Sequence, residues 1–197
     1  DFCKGYYPRV SNKKVKGRVA RLLVTPLLRA LEKTIGFKEY ISFLDSFRYP
    51  LAGEFSFRRR VLKDIRIPFD WGLEIGVLSE MYRNYASNRL CQVDIANVYD
   101  HKHQDISFGD NTKGLSRMST DIIKAVIRKL ASQGETFSMS IFRSLKATYY
   151  REALDFVQIY KKDAVMNRYE LDVHEEETAV EMFAKNIMTA GQVFLDS

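Results

Sequence analysis

Cysteine is scarce in this chain. Only Cys3 and Cys91 occur in 197 residues, with no Cys-x-x-Cys pair, so neither a disulfide framework nor a thiolate zinc site can be assembled. Histidine is as thin, limited to His101, His103 and His174, and no His-Glu-x-x-His spacing offers the helical zinc motif. Apolar runs such as Leu22-Leu23-Val24 fall far short of the roughly 20 residues that span a bilayer. The opening residues lack the pattern of a secretory leader. A cytoplasmic protein with no membrane partner is therefore expected. No internal repeat or low-complexity tract is visible. Helix-turn-helix and zinc-finger signatures are also missing, as are basic residues interleaved with aromatics on a strand, so no nucleic-acid partner is expected.

What is present fits a globular fold. The chain is 46% hydrophobic and 13% aromatic, enough for one sizeable core. Its net charge of +6 is gathered early, in one block of Lys13, Lys14, Lys16, Arg18 and Arg21 and another of Arg58, Arg59, Arg60, Lys63 and Arg66. Such blocks either attract anions or form solvated faces.

Residues 2 to 7 read as a short strand that begins abruptly, without an initiator Met, which suggests part of a longer chain. Residues 8 to 16 read as a polar, basic loop. Apolar residues at 19, 22, 23, 27 and 31 keep helical spacing from Gly17 to about Thr34, with Pro26 expected to kink or divide the helix. A short helix is expected over 37 to 44, a turn over Pro50 to Gly53, a helix from Leu73 to about Asn88 and a strand over Cys91 to Val98, with Cys91 in the core. Beyond Gly114 helices are expected over 115 to 132, 140 to 160 and about 173 to 190. Strands thus belong to the first half, giving an α/β body with a helical tail.

Several positions have both a chemical and an ordinary reading. Gly17-Arg18 stands at a helix start, where unpartnered amides and the helix dipole attract an anion and Arg18 can add a forked contact; a Gly cap with a solvated Arg is the plain alternative. Glu74, between Gly72 and Gly76, can accept a hydrogen bond from a hydroxyl or act as a base, or can simply favour a first helical turn. Glu54 can bind a hydroxyl or pair with Arg58 four residues on. His101 and His103, two apart, share one face of an extended strand, and one of them with carboxylates from elsewhere suits Mg2+ or Mn2+ on a diphosphate. His174-Glu175-Glu176-Glu177 reads as a solvated acidic helix start.

The order of these pieces says more than any one of them. Gly17-Arg18-Val19, Leu23-Val24-Thr25-Pro26-Leu27-Leu28, Pro50-Leu51-Ala52-Gly53-Glu54, Gly72-Leu73-Glu74-Ile75-Gly76 and a strand ending in His101-Lys102-His103-Gln104 together resemble the glucosyl-3-phosphoglycerate synthases, over about residues 2 to 118. The resemblance implies a retaining glycosyltransferase of the GT-A, Rossmann-like fold, moving glucose from UDP-glucose to the 2-hydroxyl of 3-phosphoglycerate with a divalent metal. It further implies that Gly17, Arg18, Val19 and Ala20 hold the acceptor and that the Leu51 carbonyl faces the anomeric carbon. Glu74 would orient the acceptor or the sugar hydroxyls, His101 would ligate the metal, and His103 would approach the phosphoglycerate. The family commonly has Thr at Ala20, Asn at His103 and Arg at Gln104. A front-face route to retention follows, since no carboxylate stands out as a nucleophile.

The family also grips its nucleotide with an Asp-x-Asp motif, and this chain contains none. The reading is therefore the C-terminal, acceptor-binding portion of a GT-A fold with a helical extension. Residues 1–135 carry the acceptor and metal part and 136–197 the extension, through which a homodimer is expected. By itself such a portion is expected to bind donor poorly. The rival readings are a mannosyl-3-phosphoglycerate synthase using GDP-mannose and a non-catalytic anion-binding or interaction module.

Overall fold

The computed structural model describes residues 1–97 and 114–197. Strand β1 (Phe2–Tyr6) is followed by a hairpin of β2 (Val10–Ser11) and β3 (Lys14–Val15), a π-helical segment Val19–Val24, and helices α1 (Thr25–Ile35) and α2 (Glu39–Asp45). Strand β4 (Phe55–Phe57), the short helix α3 (Val61–Asp64), α4 (Leu73–Asn84) and β5 (Leu90–Asp94) complete the first half. The long helices α5 (Gly114–Ser132), α6 (Met139–Met166) and α7 (Val173–Leu195) form the second. The protein is thus mixed α/β, with a small sheet and many helices.

The sheet runs β4-β1-β5 and places β1 at its centre, antiparallel to β4 and parallel to β5. Register sets Phe2 opposite Phe57 and Lys4 opposite Phe55. Because side chains alternate along a strand, Phe2 and Lys4 share one face with these phenylalanines. Strand β5 is exposed on both faces beyond Leu90, and Cys91, expected in the core, lies exposed with its thiol toward the Phe2 carbonyl.

The expected break at Pro26 takes a specific form. Up to Val24 the backbone is π-helical, the Thr25 amide donating to the Ala20 carbonyl five residues back; from Thr25 it is α-helical. Proline is accommodated at the start of an α-helix because its missing N–H is not needed there. The Leu22 carbonyl, four residues before Pro26, instead accepts the buried Tyr149 hydroxyl of α6 at 2.7 Å. That hydrogen bond ties the irregular helix to the longest regular one.

Apolar residues at the expected helical spacing meet in one core: Leu22, Leu23, Leu27 and Leu31 pack with Phe142, Leu145, Tyr149 and Val157 of α6 and with Phe183 and Ile187 of α7. Helices α6 and α7 share this core with α1 and α5. Gly191 lets α7 close on α6, since a Cβ there would stand 2.6 Å from the Phe142 ring. Between α5 and α7, the Asn186 amide donates to the Ser119 and Ser116 hydroxyls at 2.7 and 3.0 Å, setting their register inside an apolar interface.

Residues 8 to 16, expected as a loop, contain the β2–β3 hairpin, turned by Asn12 and Lys13 at φ of 49° and 60°. Two-residue strands carry too little alternation to be read, but positive φ at both turn residues matches the twist of a hairpin. Glu170, in the α6–α7 connection, donates its amide to the Lys13 carbonyl at 2.7 Å and pins the hairpin tip.

Replacing Tyr149 by Phe leaves the buried Leu22 carbonyl without that donor. We expect Tyr149→Phe to cost about 1–3 kcal/mol in chemical denaturation, against a change within about 0.5 kcal/mol for the partly exposed neighbour in Tyr150→Phe.

Candidate active site

The turn after Tyr49 lies against the centre of the sheet. The Ala52 amide donates to the Tyr49 carbonyl at 3.1 Å, and the Gly5 amide of β1 donates to the Glu54 carbonyl at 2.7 Å. A Cβ on Gly5 would stand 2.9 Å from that carbonyl oxygen, so this approach requires glycine. Lys4, only 1% exposed, donates from its Nζ to the Ala52 carbonyl. Its ammonium also lies 5.2 Å from the centre of the Phe55 ring.

Glu74 approaches the same turn from the first turn of α4, so close that a Cβ on Gly53 would lie 3.8 Å from its Oε1. Glu54 is half-buried at the end of the turn, and its Oε2 is buried with no hydrogen-bond partner among the described residues. Tyr7, also buried, meets Tyr49 edge-on, ring centres 5.4 Å apart. Arg9 donates to the Tyr49 hydroxyl at 3.2 Å.

Burial shapes the protonation of this cluster. Removal from water depresses the Lys4 ammonium to about 8, against the pull of Glu74 and Glu54. Burial raises Glu74 above the usual carboxylate range, opposed by its own backbone amide and by Lys4 and reinforced by the charge of Glu54. Tyr7 is also raised, first by burial and then by the neighbouring Glu54. The arrangement amounts to two carboxylates and an ammonium around a turn carbonyl, with one carboxylate oxygen ready to accept a hydroxyl proton.

The structure therefore brings Leu51, Glu54 and Glu74 together. Gly17, at φ +74°, joins through Arg9: the Lys16 amide donates to the Arg9 carbonyl at 2.7 Å, and a Cβ on Gly17 would stand 3.0 Å from the Arg9 side chain. Val19 and Ala20 sit in the π-helical turn, Val19 half-buried and Ala20 buried. Arg18 is engaged elsewhere. Its Nε donates to Glu176 Oε1 and its Nη2 to Glu175 Oε2, both at 2.8 Å. Glu176 is 2% exposed and also accepts from Arg21 at 2.7 Å, so the acidic start of α7 is half an ion-pair network, not the solvated face expected. Within the second basic block, Arg58 and Arg60 pair with Asp1 at 3.6 and 2.7 Å. His101, His103 and Gln104 lie outside the described residues. Among the described residues no group of three or more His, Cys, Asp or Glu side chains can hold a metal ion, and no helix is long and apolar enough to cross a membrane.

Sequence reasoning missed Lys4, Tyr7, Arg9 and Tyr49. One signal was available for Lys4: a lone lysine in Phe-Cys-Lys-Gly-Tyr-Tyr, on the same strand face as Phe2, is a charge set among apolar neighbours. Between pH 8 and 10 the unfolded chain holds a Lys4 proton that the folded chain has released. Unfolding then takes up a proton, and stability rises with pH by up to about 3 kcal/mol over the whole gap. We expect thermal unfolding across pH 7.5 to 10 to show this rise in the native protein and to lose it in Lys4→Met, as the difference between the two.

No family model matches the chain, and no solved structure matches it. Curated relatives do. The chain is 42% identical over 196 residues to a protein named glucosyl-3-phosphoglycerate synthase from Persephonella marina, covering 100% of this chain and 48% of that one. It is 39% identical over 193 residues to a protein of the same name from Methanococcoides burtonii, covering 96% and 47%. A third of that name, from Petrotoga mobilis, is 27% identical over 119 residues, 60% of this chain and 32% of its own. The chain spans about half the length of the first two, and it is along nearly its whole length that it is similar to proteins named glucosyl-3-phosphoglycerate synthase.

Proposed function

We propose that this chain carries the acceptor side of a GT-A glycosyltransferase that moves glucose from UDP-glucose to the 2-hydroxyl of 3-phosphoglycerate, with retention. The observation that carries the reading is the similarity, along nearly the whole of this chain, to about half the length of relatives named glucosyl-3-phosphoglycerate synthase. The turn that holds Leu51 supports it: Glu74 approaches it at Gly53, and the Oε2 of Glu54, with no partner among the described residues, suits a substrate hydroxyl.

In this reading Glu54 and Glu74 accept hydrogen bonds from sugar or acceptor hydroxyls, and the Leu51 carbonyl dipole stabilises positive charge developing at the anomeric carbon. Gly17, Arg18, Val19 and Ala20 hold the phosphoglycerate, and His103 approaches it. Arg18 reaches the phosphate only by sharing its guanidinium with Glu175 and Glu176, or by leaving them. The front-face route assigns the acceptor proton to the departing diphosphate and needs no protein nucleophile.

A divalent metal, Mg2+ or Mn2+ with His101 as ligand, belongs to the proposal. The described residues supply no cluster to complete its shell.

The test is nucleotide release by the full-length protein with 3-phosphoglycerate and Mg2+, comparing UDP-glucose with GDP-mannose. UDP release is expected, lost on chelation and in His101→Ala, and lowered about 100-fold or more in kcat by Glu74→Gln. GDP release alone would move the donor to GDP-mannose. Full turnover in Glu74→Gln would remove Glu74 from the chemistry.

A further inference from the structure

Lys4 is an ammonium sealed in the middle of the sheet, where a methionine would fill the space against Phe55 without the cost of taking a charge out of water. Packing gives no reason for the charge; its surroundings do. Glu54 faces it from the turn and Glu74 from α4, each attracting the ammonium. Behind Glu54 stand Tyr7 and Tyr49, with Arg9 on the Tyr49 hydroxyl. Glu54 and Glu74 repel one another, and Lys4 is the cation that opposes this repulsion at Glu74. Its hydrogen bond goes to Ala52, the residue after Leu51.

We propose that Lys4 is a positioning residue of this site: its ammonium fixes the turn that presents Leu51 by donating to the Ala52 carbonyl, and its charge offsets the repulsion between Glu54 and Glu74. This role rests on the sugar-transfer reading of the site. It makes two separable contributions. The hydrogen bond holds the carbonyl dipoles of the turn still, so its loss lowers turnover at every pH. The charge favours the carboxylate form of Glu74, so its loss lets Glu74 take a proton at higher pH.

The experiment compares the full-length native protein with Lys4→Met, Lys4→Gln and Lys4→Arg, measuring kcat and acceptor KM against pH and amide exchange over Leu51 to Glu54. Lys4→Met is expected to lower kcat about tenfold or more while acceptor KM stays within about threefold, because it disturbs the turn rather than acceptor contacts. Its acid limb of kcat should move up by about one pH unit, as should that of the neutral Lys4→Gln. Lys4→Arg keeps the charge and should leave the limb in place. Exchange over Leu51 to Glu54 should quicken in Lys4→Met while α6 stays protected. Lys4→Gln carries the charge arm if Lys4→Met loses α6 protection. An unmoved acid limb in both neutral variants overturns the electrostatic role, and unchanged exchange with kcat within about twofold overturns the hold on the turn. Should the native protein transfer no sugar, the sugar-transfer reading fails, and amide exchange alone decides whether Lys4 holds the turn.

Discussion

The docking of the Tyr49–Glu54 turn onto the central strand is the constraint around which the first half of the protein is arranged. Two adjacent residues of β1 make it: Gly5 donates its amide to the Glu54 carbonyl, and Lys4 donates its ammonium to the Ala52 carbonyl. The first contact depends on a missing side chain and the second on a long charged one, so neither position tolerates the other's residue. Docking in turn sets where β4 begins, which places Phe55 opposite Lys4 and the phenylalanine cluster beneath it. A buried charge is costly, and this one is retained with two carboxylates close by, the pattern expected where chemistry rather than stability selects a residue.

The helical half solves a different problem. Pro26 interrupts an otherwise regular apolar stripe, and the interruption is absorbed by a π-helical turn before it and a tyrosine hydroxyl from α6 beside it. The same turn is clamped from α7, where Glu176 takes one guanidinium from Arg18 and another from Arg21. Arg21 also stacks on Tyr160 of α6, 4.6 Å from the ring centre. The segment proposed to meet the acceptor phosphate is thus braced by both long C-terminal helices. Their packing bears on the site although they supply none of the cluster around the turn.

The helices were legible because their signal is local. Residues 22, 23, 27 and 31, and again 142, 145, 149 and 157, keep a period near 3.6 and are all buried. The strands were less so. Cys91 lies in an apolar-looking run, yet β5 is exposed on both faces, and no sequence pattern tells an apolar strand that is covered from one that is not. Glu176 shows the converse: four polar residues in a row read as solvated, but helix geometry turns one of them inward, where two arginines from a distant segment are waiting.

What the sequence determined by itself is the placing of the longer helices, the break at Pro26 and the order of its own motifs, since periodicity, proline sterics and motif order are properties of neighbouring residues. Tertiary structure alone decided that Lys4, Glu54 and Glu74 meet, that Arg18 faces α7, and that Arg9 links Gly17 to Tyr49. Most of those contacts join residues tens of positions apart, and sheet register and helix packing, rather than any local pattern, fix which side chains come within reach.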